Sequence, residues 1–108
     1  MPKQEMPSGA LTLLILRVLR SGTLHGYAIA QRIHSLSSEV LQVEEGALYP
    51  ALHRLELRGL LKAEWGASEN NRRAKFYQLT AEGTKKLTAE SQRWARLSAA
   101  VAFVMQAS

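Results

Sequence analysis

Apolar residues recur along this chain with two different periods, and the switches between them mark its layout. From 9 to 20, GALTLLILRVLR, the residues Leu11, Leu13, Leu14, Ile15, Leu16, Val18 and Leu19 cover almost the whole circumference of a helix. A helix that is apolar all round is buried all round. In a short chain one side is expected on its own core and the other, with Leu13 and Leu16, on a partner. Gly22 ends the segment, and Arg17 and Arg20 fall in the last turns, where positive charge complements the helix dipole. Residues 25–37, HGYAIAQRIHSLS, place Tyr27, Ile29, Ala30, Ile33 and Leu36 at helical spacing. Leu24, just before them, either packs as a staple or pairs with a later hairpin. Residues 38–45 read as a turn anchored by Val40, Leu41 and Val43. A third helix, 46–58, turns Leu48, Ala51, Leu52 and Leu55 inward and leaves Ala47, Tyr49, Pro50, His53, Arg54 and Arg58 on or near the outer face. Pro50 lacks an N–H and disturbs the first turns; Gly46 is read as removing bulk beside that disturbance. Gly59 stands where a left-handed C-terminal cap belongs.

After Gly59 the period drops to two. Residues 60–66 and 74–79 read as strands joined by ASENNRR, in which Asn70 and Asn71 tolerate turn conformations and Arg72, Arg73 and Lys75 put positive charge at and beside the tip. From 80 to 106 the helical period returns, with Thr80 as the expected N-cap and Glu82 in the first turn. Leu87, Trp94 and Val101 recur every seven residues, with Leu97 and Val104 as a second seam. A helix of about 26 residues is roughly 39 Å long. That is too long for so small a domain to cover, so this helix is expected to join two copies of the chain; folding back on its own domain is the alternative.

The order helix, turn, helix, basic hairpin predicts a mainly α fold with a small β-hairpin: a winged helix-turn-helix with a long C-terminal helix. Residues 1–8 read as an arm, 9–80 as the winged helix-turn-helix and 81–108 as the dimerisation helix. In that geometry the second helix crosses a nucleic-acid backbone with its N-terminal amides toward phosphate, and the third enters the major groove. Tyr27 then either donates its hydroxyl to phosphate or edges the core. Tyr49 reaches a phosphate or a base edge, and His53 and Arg54 suit guanine acceptors or phosphates. Arg72, Arg73 and Lys75 suit phosphate contact from the wing.

Charge sharpens this picture. The net charge of the 108-residue chain is +5. Residues 1–45 are balanced, whereas 46–86 hold eight Lys and Arg against four Glu, so the excess lies on the third helix and the hairpin, where a polyanion would dock. The chain has no cysteine, which excludes disulfides, thiolate zinc sites and cysteine nucleophiles and fits a reducing cytoplasm. It also has no aspartate, no Gly-rich phosphate loop and no paired His-Glu motif, so an enzyme is not expected. His25, His34 and His53 show no metal-ligand spacing, and neither a metal nor a cofactor is expected. No apolar run reaches the roughly 18 residues of a membrane span, and the N-terminus lacks the layout of a secretory signal.

The chain resembles the PadR family of bacterial transcriptional regulators. The likeness rests on His25-Gly26-Tyr27, on Gly46-Ala47-Leu48-Tyr49-Pro50-Ala51-Leu52, on Leu55-Glu56 and Gly59-Leu60-Leu61, and on Arg72-Arg73-Ala74-Lys75-Phe76-Tyr77 leading into Leu79-Thr80 and Gly83. It spans roughly residues 10–85. The single helix after that point resembles the compact members. The resemblance implies a homodimeric winged-helix protein that binds promoter DNA, usually as a repressor, with C-terminal helices embracing the partner. On matching positions it assigns DNA contact to Tyr49, Pro50, Arg72, Arg73 and Lys75, with Tyr27 on phosphate. Some members hold a small aromatic effector near the dimer interface, stacked on an aromatic residue of the last helix; Trp94 lies on that segment, although a tryptophan at a seam position more often serves packing. Two positions depart from the family pattern. Glu44 and Glu45 stand where small or hydroxyl residues are common, and Ala47 stands where a hydroxyl is common. A winged helix used for RNA or protein contact is the alternative function, since fold alone does not fix it.

Overall fold

The computed structural model describes residues 8–107, so all of the expected N-terminal arm except Ser8 lies outside the described residues. The elements run α1 (Ser8–Leu19), β1 (Leu24–His25), α2 (Gly26–Leu36), α3 (Glu45–Leu57), β2 (Leu61–Ala67), β3 (Arg73–Leu79) and α4 (Ala81–Gln106). The hairpin is the larger part of a three-stranded antiparallel sheet in the order β1-β3-β2, because Leu24 and His25 pair with Tyr77 and Phe76. Of the two roles open to Leu24, pairing with the hairpin is the one observed.

One core joins the three helices of the head to the base of the sheet. It contains Ile15, Leu16, Ile29, Leu48, Leu52 and Leu55, each with 2% or less of its surface exposed, together with Leu61, Tyr77 and Leu87. Two residues expected at a partner contact are therefore not available to one. Leu16 is fully enclosed among α1's own neighbours, and Leu87, the first residue of the proposed α4 seam, is 2% exposed because the first turns of α4 lie against the head. Leu13 is half-buried and packs at the margin of the core. Two further expectations fail at the end of α2. Leu36 and Val40 are exposed, because the chain leaves the helix through left-handed residues at Ser38 and Glu39. The other two expected anchors, Leu41 and Val43, do pack on the core, and polar bonds add to them: Leu41 N–H donates to Ser37 Oγ, and His34 Nδ1 lies 3.0 Å from the Leu41 carbonyl.

The end of α3 fixes the start of the sheet. Gly59 takes φ +75°, its N–H donates to Glu56 O, and Leu60 N–H reaches back to Leu55 O. This is a Schellman cap, and it explains the glycine at that point. Gly46 is different: a Cβ there would meet nothing within 4 Å, so room beside Pro50 is not the reason for it. At the wing tip, Asn71 N–H donates to Ser68 O and Ser68 N–H to Arg72 O, with Asn71 at φ +58°. A short hairpin loop closed by a left-handed residue selects Gly or Asn at that position.

Beyond Glu90, α4 leaves the head, and every described residue from 91 to 107 is exposed. The radius of gyration is 15.2 Å and the longest extent 57 Å; a compact chain of this length has a radius near 13 Å. Among the described residues no helix is long and apolar enough to cross a membrane.

Candidate nucleic-acid interface

A groove of about 590 Å³ separates the wing from the N-terminal ends of α2 and α3. Tyr27 and Tyr49 line it on the helical side, and Trp65, Arg72, Arg73 and Lys75 on the wing side. Tyr27 is 60% exposed, which decides against the alternative of a core-edge role. Tyr49 lies close against α2: a Cβ on Gly26 would stand 2.7 Å from its Cε1. The glycine of the His25-Gly26-Tyr27 segment thus makes room for the tyrosine of the third helix, linking two motifs that are more than twenty residues apart. His25 holds the same corner. Its Nδ1 accepts from Ala28 N–H as the α2 cap, its ring meets Phe76 edge-on at 5.4 Å, and its Nε2 lies 3.9 Å from Glu69 Oε1 at the wing tip.

The remaining outward residues of α3 are placed as the periodicity predicts. Ala47, Pro50, His53 and Arg54 are exposed, while Leu48, Ala51, Leu52 and Leu55 are buried. They do not line the groove but lie along the helix beside it. Glu44 is the N-cap residue of α3 without a side-chain cap bond, and Glu45 sits in its first turn. Both line a smaller hollow with Tyr27 and Tyr49, so carboxylates stand next to the tyrosine pair.

The three wing cations are not equivalent. Lys75 Nζ lies 2.9 Å from Glu56 Oε1, both half-buried, which ties β3 to α3. The Glu56 hydrogen bond raises the Lys75 ammonium above its ordinary pKa, and burial raises the neighbouring Tyr77 hydroxyl above its own. Lys75 is therefore first a strut between wing and helix. Arg73 stacks on Trp65, its Cζ 4.4 Å from the ring centroid. Arg72 makes no ion pair among the described residues and is exposed. Trp65 is a residue of this corner to which sequence reading gave no role, although strand alternation from Leu61 through Ala63 already places it on the inner face.

The raised pKa values have a stability consequence. Both groups hold their proton more tightly folded than unfolded, so their contribution is complete at neutral pH and is lost as pH rises past about 10. Thermal melts across the alkaline range are expected to show this decline, and Glu56→Gln is expected to shrink it by removing the Lys75 share. An unchanged alkaline limb in that variant would show that the pair contributes nothing.

Residues 15–89 match the sequence profile of the Transcriptional regulator PadR-like family. The chain is 35% identical over 85 residues to Transcriptional regulator Rv3488 of Mycobacterium tuberculosis, covering 79% of this chain and 76% of that protein. Among solved structures it is similar to a transcriptional regulator from Clostridium thermocellum, with TM-score 0.78, 30% identity, and coverage of 86% of this chain and 90% of the other. It is also similar to a PadR-like transcriptional regulator from Bacillus cereus, with TM-score 0.78, 26% identity, and coverage of 93% and 95%. With its winged-helix head and long last helix, the chain belongs to the PadR-like family of transcriptional regulators.

Proposed function

We propose that this regulator is a homodimeric repressor that lays two identical heads on one promoter duplex. The observation that carries the reading is the convergence of Tyr27, Tyr49, Arg72 and Arg73 on a single groove beside the outer face of α3. The groove offers hydroxyl and guanidinium donors to a sugar–phosphate strand. Ala47, Pro50, His53 and Arg54 then face the base edges of the major groove, and Lys75 acts by fixing the wing against α3. Residues 9–80 serve as the head and 81–108 as the dimerisation segment. Trp94, Leu97, Val101 and Val104, at 40%, 52%, 52% and 73% exposure, supply the contact, with Leu13 at its edge. Repression follows from occupancy of the promoter in the cytoplasm. A small aromatic effector stacking on Trp94 would release it.

Gel shift on the region upstream of the chain's own gene, with structured RNA as competitor, tests this reading; preference for the RNA would favour the other use of the fold. The double substitution Arg72→Ala, Arg73→Ala is expected to weaken binding to all duplexes and to lower the slope of log affinity against log salt by up to about two. An unchanged slope would remove the wing from the phosphate contact. Gly26→Ala is expected to displace the Tyr49 ring at a stability loss of about 1 kcal/mol or less, because that ring is 44% exposed and free to swing outward. DNA affinity should fall about tenfold, and Tyr49→Ala should add little to it. Full affinity in Gly26→Ala would show that the placement of Tyr49 does not matter for binding.

A further inference from the structure

Trp65 is 59% exposed although its neighbours on the same strand face, Leu61 and Ala63, run into the core. The register explains what the ring meets instead. Trp65 is paired with Lys75 and Ala67 with Arg73, so Arg73 is its diagonal neighbour on the same face of the sheet, and the guanidinium lies over the indole. A stacked guanidinium gives up one face of its plane and keeps its charge and its in-plane N–H donors. The contrast with Lys75 is direct: a carboxylate partner holds that side chain still but cancels its charge. A flexible arginine loses rotamer freedom when it binds, and one already held in place loses less.

We propose that Trp65 is a positioning residue of the DNA interface: its indole holds the Arg73 guanidinium over the groove between wing and reader helix, so that the arginine meets the phosphate backbone already ordered. The proposal rests on the DNA-binding reading above. Trp65 acts through Arg73, which gives it a thermodynamic signature that a packing residue lacks. Trp65→Ala weakens binding in the wild-type background and changes it little when Arg73 is already alanine.

The test is a double-mutant cycle of Trp65→Ala and Arg73→Ala, with binding measured to a mixed-sequence DNA duplex at low salt, where phosphate contact dominates. Each single variant is expected to weaken binding by roughly three- to tenfold, the double variant to bind like Arg73→Ala, and Trp65→Phe to recover most of the loss because it keeps an aromatic face. Emission from Trp65 in a Trp94→Phe background should shift on Arg73→Ala in the free protein. Full additivity of the two losses, or an unaltered affinity in Trp65→Ala while the wild type binds, overturns the role given to Trp65. A wild type that ignores duplex DNA altogether overturns the DNA reading itself, and the emission measurement still reports whether the stack exists.

Discussion

The double substitution Leu97→Glu, Val101→Glu is expected to leave the head folded, to render the protein monomeric, and to lower its affinity for promoter DNA by about a hundredfold or more. Each residue is 52% exposed in the single chain, and neither belongs to the core. The head therefore loses little when they change. The proposed helix–helix contact loses its middle, because carboxylates replace apolar groups at seam positions flanked by Trp94 and Val104. Two linked heads bind one duplex more tightly than either alone by a factor of about 10²–10⁴, and this is the gain that separation removes. Light scattering and circular dichroism on the same sample check both halves of the expectation. A variant with the mass of the wild type would place the association elsewhere.

Gly83→Ala is expected to destabilise the head by about 2 kcal/mol or more, against the usual preference for alanine in a helix. Propensity alone would make alanine better by about 1 kcal/mol. Here a Cβ would overlap the Leu60 carbonyl oxygen and stand 3.1 Å from Leu79 Cδ2. That carbonyl cannot easily retreat, because it accepts from Thr80 N–H at the joint where Thr80 Oγ1 donates to Gly59 O and accepts from Gly83 N–H. Forcing extra volume against fixed backbone costs about 1–3 kcal/mol, occasionally more, so the clash outweighs propensity. In a domain of this size the melting midpoint should fall by about 10 °C, compared at equal protein concentration. A variant as stable as the wild type would contradict the close seating of α4 on the α3–β2 joint.

How far the sequence could be read depended on whether a feature is local. The stripe Leu48, Ala51, Leu52, Leu55, the cap at Gly59 and the N-cap at Thr80 depend on neighbours within a turn or two, and each is observed where periodicity or residue type puts it. Leu16 and Leu87 were misplaced because an apolar residue on a helix does not declare which of two apolar surfaces it meets; only the packing of α1 and α4 on the head decides that. Leu36 fits a helical stripe and Val40 an apolar anchor of the turn, but Leu36 is the last residue of α2 and the left-handed residues after it carry the chain away from the core. The pairing of Gly26 with Tyr49, the strut from Lys75 to Glu56 and the stack of Arg73 on Trp65 are contacts between distant segments, and no periodicity in either segment contains them.

The proposal that two heads share one duplex is tested most directly by hydroxyl-radical footprinting on the DNA upstream of the chain's own gene. Two protected stretches related by a two-fold axis and centred one helical turn apart, about 34 Å, are expected. A single protected stretch occupied by one copy of the chain, or uniform protection without a repeat, would contradict it.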